Sequence, residues 1–324
     1  IKPTVNALFL SELGIEQLPF AFLLVAITAV TSSYFYSKAV SRFSLKKVIE
    51  VTIISSIVIL IGLGILLSLH VVSGFLLYFF YIWVAIYAVL SASQFWILAN
   101  LVFSIREAKR LFGFIGSGAI IGGIFGGYLT SILAPLIGNE NLMFVAALLL
   151  FFCIPLLRKI WNIRVKKNVS IRKHKNPVNN TEPPLKLILK SKHLTYIASI
   201  VVVSVVVAKL VDYLFSDFAS SAIFGGSILF LLLPELSAVV VIKAMDGILK
   251  QSIHKSASEL LTLPLPFDLK NKTKSFIDVV VDSLATGIAG CLLIFVVRGL
   301  DLPSFYIGIL IIVLVCLWLY FIYK

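Results

Sequence analysis

Charge is what this chain lacks most. Only 13% of its 324 residues are Asp, Glu, Lys or Arg, while 60% are hydrophobic. So few charges cannot cover the surface of a soluble domain of this length. Acids are scarcer still, 15 against 28 Lys and Arg, for a net charge of +13. No soluble domain is present to carry a basic face, so the excess does not read as nucleic-acid binding. Cysteine is nearly absent. Cys153, Cys291 and Cys316 sit in apolar runs without metal-ligand spacing, which excludes a disulfide framework and a thiolate metal site. No Ser–His–Asp arrangement, metal cluster or Walker motif occurs, so neither an enzyme nor a cofactor is expected. The alternating pattern of a membrane barrel is missing. There is no signal peptide, and the chain opens on Ile1 without Met, which reads as a trimmed piece.

What is present is long apolar runs. A run of about 20 apolar residues spans a bilayer as a helix. A helix is the expected solution because its backbone polar groups pair within the segment. Nine spans are expected, near 18–36, 48–70, 73–101, 112–135, 143–157, 194–216, 236–262, 275–297 and 304–323, with a short apolar piece, 222–233, left over. The fold class is therefore all-α membrane.

Lys and Arg set the orientation. Lys38, Arg42, Lys46 and Lys47 follow the first span, and Arg106, Lys109 and Arg110 follow the third. Residues 158–192 hold eleven basic residues and one acid, Glu182. Lys270, Lys272 and Lys274 precede the eighth span, whereas Leu69–Val72 and Pro135–Asn141 carry no Lys or Arg. The basic loops are thus expected to be cytoplasmic and residues 1–17 outside. The parity then fails to close between Asp217 and Lys270, which implies chain absent near Phe224–Gly226. Residues 158–192 read as a polar cytoplasmic linker between two helical halves, 1–157 and 193–324. The halves look related: a helix ending in basic residues precedes a glycine-rich helix in 94–127, and 246–290 repeats the plan with Ala285, Gly287 and Gly290. Repeated halves mark carriers that rock around a midplane site.

Three groups of residues could carry chemistry. Gly113, Gly116, Gly118, Gly122, Gly123, Gly126 and Gly127 crowd one span. Close helix packing is the preferred reading, since a nucleotide-cradling loop needs a strand–turn–helix context. The second group is charge at bilayer depth: Lys209 and Asp212 in one span, Lys243, Asp246 and Lys250 on one helix face, and Asp278 and Asp282 a turn apart. Each such charge costs about 2.5–3.5 kcal/mol on insertion scales, so it is expected to face the interior. A solute and counter-ion pathway is one reading; buried pairing that fixes helix register is the other. The third group is Gln94, Trp96 and Asn100, which could bind a solute or a neighbouring helix. His254 could relay protons, though a helix-end histidine near headgroups is preferred.

The stretch Asp246–Pro266 (DGILKQSIHKSASELLTLPLP), followed by Lys272–Asp278 (KTKSFID), resembles the ATP/ADP translocase (nucleotide transporter) family of bacteria and plastids, in its broader major-facilitator-like bacterial branch. Gln94–Trp96 (QFW), Arg106–Gly113 (REAKRLFG) and Leu10–Pro19 (LSELGIEQLP) fit the corresponding places in the first half. The resemblance implies a two-bundle fold of six plus six helices. The first helix would precede Ile1, and one helix and part of the next would be absent near Phe224–Gly226. The loop Ser37–Lys47 stands where major facilitators keep a basic gating loop, but it lacks that motif's glycine and Asp-Arg pair. The resemblance implies exchange of ATP for ADP, or nucleotide import, across a bacterial inner membrane. The expected binding residues are Lys209, Asp212, Lys243, Asp246, Lys250, Asn100 and Gln94. Asp278, Asp282, Arg106 and Arg110 are the expected gating or coupling residues. The expected partners are a nucleotide or other anionic solute, membrane lipids and an attached soluble domain, with no nucleic acid. A carrier of a lipid or other amphiphile, and a non-transporting anchor for a soluble domain, stand as alternatives.

Overall fold

The structure, a computed structural model, describes residues 1–69, 73–165, 184–224, 276–300, 302–303 and 305–323. The described residues are almost all helical and contain no strand. Helix α1 (Lys2–Leu13) is followed by a 3-10 turn (Ile15–Gln17), then α2 (Leu18–Arg42), α3 (Leu45–Ser68), α4 (Gly74–Val102) and α5 (Ile105–Ile160). A π-helical turn, Trp161–Val165, extends α5. Next come α6 (Pro184–Lys190) and α7 (Lys192–Phe224). Helix α8 (Asp282–Leu293) lies between π-helical turns Phe276–Val281 and Ile294–Gly299, and α9 (Phe305–Tyr323) follows.

Seven stretches among the described residues are long and apolar enough to cross a bilayer: Ile15–Tyr36, Leu45–Ser68, Gly74–Val102, Arg106–Gly138, Glu140–Ile163, Lys192–Phe218 and Phe276–Gly299. The first six spans of the sequence reading and the eighth each find their helix. The ninth appears as α9, whose apolar part, Phe305–Phe321, is shorter. The seventh, 236–262, lies outside the described residues, as does most of the piece 222–233. The apparent gap near Phe224–Gly226 falls where α7 ends and the undescribed stretch begins. The chain is an all-α membrane protein.

Helix α3 explains why. Val51, Ile54, Val58, Ile61 and Ile65 are exposed along one side, while Ser56, Leu60, Leu63 and Leu67 are buried on the other. A helix that is apolar all round belongs in a lipid-facing or fully buried setting. Exposed Ile27, Ile121, Phe151 and Ile312 extend this apolar outer surface to α2, α5 and α9.

Two glycines punctuate the path. Gly14, at φ 77°, ends α1, and Gly138, at φ 82°, divides α5 into two arms. A side chain at either would meet the steric penalty of positive φ. The loop expected at 135–141 is therefore a sharp break inside one helical run. Residues 37–42, expected as loop, instead complete α2, and the expected linker is helical from Arg158 to Val165 and again in α6.

One apolar core joins α1, α2, α3, α4, the second arm of α5, α7, α8 and α9 around Phe9, Phe22, Leu60, Phe80, Met143, Leu210 and Leu293. The most extensive packing is α2 against α8, followed by α3 against α5. At the first interface Gly290 lies so close to α2 that an added Cβ would stand 2.8 Å from the Pro19 carbonyl, and at Gly287 2.6 Å from the Ala26 Cβ. Close helix packing through glycine is thus found at α2–α8. On the first arm of α5, Gly113, Gly118, Gly122, Gly123, Gly126 and Gly127 have no atom within 4 Å of an added Cβ, whereas Gly116 is buried.

The N-terminal stretch, expected on the non-cytoplasmic side, adds a helix that packs into the bundle. Val5 and Phe9 of α1 are buried in the main core, and α1 packs on α4. Twelve residues rise about 18 Å, roughly half a bilayer, so α1 reaches from one end into the interior.

The two ends of the bundle are distinct. At the basic end Arg158 Nε lies 2.9 Å from Glu50 Oε1, with Lys46 3.9 Å from the same oxygen, so the basic segments after α2 and α5 share a side. At the opposite end the Tyr78 hydroxyl donates to Gln17 Oε1 at 3.0 Å, and Arg298 pairs with Glu16 at 3.3 Å while lying over the Phe20 ring.

Candidate functional site

The charges at bilayer depth converge. Lys209 and Asp212 lie in the middle of α7, three residues apart and so on one face. Lys209 Nζ stands 3.7 Å from Asp212 Oδ2. Lys2 Nζ, from α1, reaches the same oxygen at 3.8 Å. These are ion-pair distances but too long for direct hydrogen bonds. One carboxylate thus contacts two lysines from two helices. Lys209 also lies 5.1 Å from the centre of the Phe22 ring, a cation–π contact that helps hold the charge in an apolar setting.

Both lysines border a cavity of about 230 Å³ enclosed by α1, α2, α4, α7 and α8. Asp278 and Asp282 line it from the α8 span. Asn6, Ser204, Ser283 and Thr286 add polar groups, and Val84, Ala85, Ala88 and Val89 of α4 give a smooth apolar wall. Tyr81 and Trp96, fifteen residues apart on α4, mark an extent of about 22 Å along that helix. Tyr81 belongs to an aromatic plug with Phe9 (4.9 Å) and Phe22 (6.5 Å) that fills the bundle toward the Glu16–Arg298 end. A second cavity, of about 430 Å³, lies beside Glu16 and Arg298, but apart from that ion pair its lining is largely apolar.

The fate of each expected site residue differs. Lys209, Asp278 and Asp282 line the cavity, and Asp212 stands behind the lysines and holds both. Gln94 and Asn100 do not line it. Gln94 is 3% exposed and donates to Thr52 Oγ1 at 3.0 Å, tying α4 to α3. Asn100 donates back to the Trp96 carbonyl at 2.8 Å. The Gln94 bond joins two helices, whereas the Asn100 bond stays within α4. Trp96 both lines the cavity and packs edge-on against Phe112 at 5.2 Å. Arg106 and Arg110 are exposed at the start of α5 and do not reach the cavity. The first turn there is held by a capping box between Ser104 and Glu107. Lys243, Asp246, Lys250 and His254 lie outside the described residues.

Lys2, Asn6, Ser204, Ser283 and Thr286 were not singled out from sequence. The signal for the first two was a proline at the start of α1 and the spacing Val5, Leu8, Phe9, which together announce an amphipathic helix. Among the described residues no three His, Cys, Asp or Glu side chains gather as a metal site. No protein-family profile, curated protein or solved structure matches the chain.

Proposed function

We propose that the chain is a secondary carrier that moves a small phosphorylated anion across a bacterial inner membrane by alternating access. The observation that supports this most is the meeting of Lys2, Lys209, Asp212, Asp278 and Asp282 around one cavity inside an otherwise apolar bundle. Charges at that depth are costly unless they pair with one another or with a solute. Lysine offers a compact point charge suited to phosphate. When the anion leaves, Asp212 remains as a partner for both ammonium groups. That favours exchange over free leak.

The nucleotide implied by the family resemblance is the larger candidate. Pockets that enclose drug-sized ligands span roughly 300–1,000 Å³, and this cavity falls below that range. The volume therefore favours a phosphorylated anion smaller than ATP. Asp278 and Asp282 would take part in coupling, and the basic end would face the cytoplasm.

Uptake into vesicles reconstituted with the full-length protein tests the reading, using labelled ADP, ATP and glucose 6-phosphate with unlabelled phosphate compounds inside. Lys209→Ala removes a charge-assisted contact of about 1.5–3 kcal/mol, so uptake of the preferred anion should fall roughly 10- to 100-fold. Absence of any phosphorylated-anion flux, or full activity in Lys209→Ala together with Lys2→Ala, contradicts it.

A further inference from the structure

The second cavity, of about 430 Å³, shares no lining residue with the first. It lies at the end of the bundle opposite the basic segments, between the start of α2, α7 and the last turns of the α8 span. Its charged rim is made by Arg298 and Glu16, which come from different helices. They meet in a single contact of 3.3 Å, and both side chains are exposed. An exposed pair of this kind is weak and opens readily. Among the described residues that contact engages only one of the guanidinium's amino groups, so most of a donor fork that fits phosphate is left over. The guanidinium lies 4.9 Å from the centre of the Phe20 ring, which holds it at the rim. Tyr213 also lines the cavity. It is 3% exposed, and its hydroxyl has no hydrogen-bond partner among the described residues. Buried hydroxyls are normally satisfied, so this one awaits water or a ligand oxygen. Pro19, Phe20, Leu293, Ile294 and Val297 complete the wall, which is otherwise apolar.

We propose that this cavity binds a membrane phospholipid with an ethanolamine headgroup. Its phosphate sits on Arg298 and the Tyr213 hydroxyl, its ammonium on Glu16, and its glycerol and first acyl carbons along Phe20, Ile294 and Val297. The assignment needs only a chain seated in a bilayer and does not rest on the carrier reading. An arginine in the last turn of a span stands at the depth of lipid headgroups. A headgroup with both charges replaces one weak ion pair by two, phosphate with guanidinium and ammonium with carboxylate. A water-soluble phosphate compound would gain from Arg298 but nothing from the apolar wall, whereas a lipid gains from both. The volume of about 430 Å³ falls within the range of roughly 300–1,000 Å³ for sites that enclose a small molecule, enough for a headgroup and its glycerol. The acyl chains then continue over the apolar outer surface, which the same helix carries on with exposed Phe295.

The test reads the melting temperature of the detergent-purified full-length protein against dioctanoyl phosphatidylethanolamine. Saturating lipid should raise it by about 2–6 °C, since a ligand that binds only the folded state stabilises that state. Dioctanoyl phosphatidylglycerol has the phosphate but no ammonium and should need a severalfold higher concentration for half the effect. Dioctanoylglycerol, without the headgroup, and phosphoethanolamine, without the chains, should give no shift at the same concentrations. Arg298→Gln removes a charge-assisted bond and should raise the half-saturating concentration of the phosphatidylethanolamine at least about tenfold; Tyr213→Phe should raise it severalfold. The four-compound comparison in the unaltered protein stands even if a variant fails to fold. No shift with the phosphatidylethanolamine overturns the proposal. So does an equal shift with dioctanoylglycerol, or an unchanged half-saturating concentration in Arg298→Gln, either of which means apolar filling only. Equal potency of the phosphatidylglycerol overturns the ethanolamine headgroup and the part given to Glu16. A shift with phosphoethanolamine at the same concentrations makes the cavity a port for a soluble compound and overturns the lipid.

Discussion

At the scale of single residues, the account rests on who shares Asp212. Two lysines lean on one carboxylate, at 3.7 and 3.8 Å, and the side chains of Lys209 and Asp212 are each less than a fifth exposed. Removing the acid takes a shared partner from both ammonium groups; removing one lysine takes only one of the two contacts from the acid. Asp212→Asn should therefore destabilise the protein more than Lys209→Gln. The double variant should recover part of the loss, with a coupling of about 0.5–3 kcal/mol. Thermal unfolding of the detergent-purified protein checks this, and equal losses in the two single variants would contradict it. The sequence made Lys209 and Asp212 visible because charge inside an apolar run stands out. Asp278 and Asp282 stood out for the same reason. Lys2 did not, since its significance depends on α1 folding back into the bundle. Gln94 and Asn100 were visible as polar groups, but sequence could not say whether their amides faced a solute or the Thr52 hydroxyl and the Trp96 carbonyl.

At the scale of elements, glycine means different things in α5 and α8. In α8, Gly290 lies against the Pro19 carbonyl, a rigid backbone atom that cannot move aside. Gly290→Val should cost about 1–3 kcal/mol or more through overpacking. In the first arm of α5, Gly122 has nothing within 4 Å of an added Cβ. Gly122→Ala should be neutral, or stabilising by up to about 1 kcal/mol, because alanine loses less conformational freedom in a helix. Thermal melts of both variants separate the cases; a larger loss at Gly122 than at Gly290 would contradict the packing described. The density of glycines in 113–127 did not point to the α2–α8 contact, since composition reports small residues but not which helix lies opposite. The second element-scale device is the pairing of Glu16 with Arg298, which joins the turn before α2 to the end of the α8 span. Exposed pairs contribute about 0–1 kcal/mol, so Glu16→Gln should hardly change the melting temperature. It should shift the population of states at that end, because a two-state equilibrium responds to small differences. In a background with Cys153, Cys291 and Cys316 replaced by Ser, a cysteine introduced at Val297 should react faster with a water-soluble thiol reagent once Glu16 is neutralised. An unchanged rate would deny the pair any part in closing that end.

At the scale of the whole molecule, the membrane class and the span boundaries were legible because bilayer thickness fixes helix length. The sequence limits and the observed helices differ mainly where helices run on past the apolar run into polar ends, as α2 does to Arg42 and α5 to Ile160. What could not be read was which spans meet. That α2 packs on α8, and that α1, α7 and α8 enclose one cavity, depends on tertiary contacts between residues far apart in the chain. The central claim is that this cavity admits water and holds the transported anion. Its most direct test is solute protection of Ser204→Cys in the cysteine-free protein, which places a thiol on the cavity wall away from the charged poles. The account predicts that a water-soluble thiol reagent modifies this cysteine and that saturating glucose 6-phosphate or ADP slows the reaction severalfold. A thiol that stays inert, or one whose reaction rate ignores every phosphorylated anion tried, would contradict it.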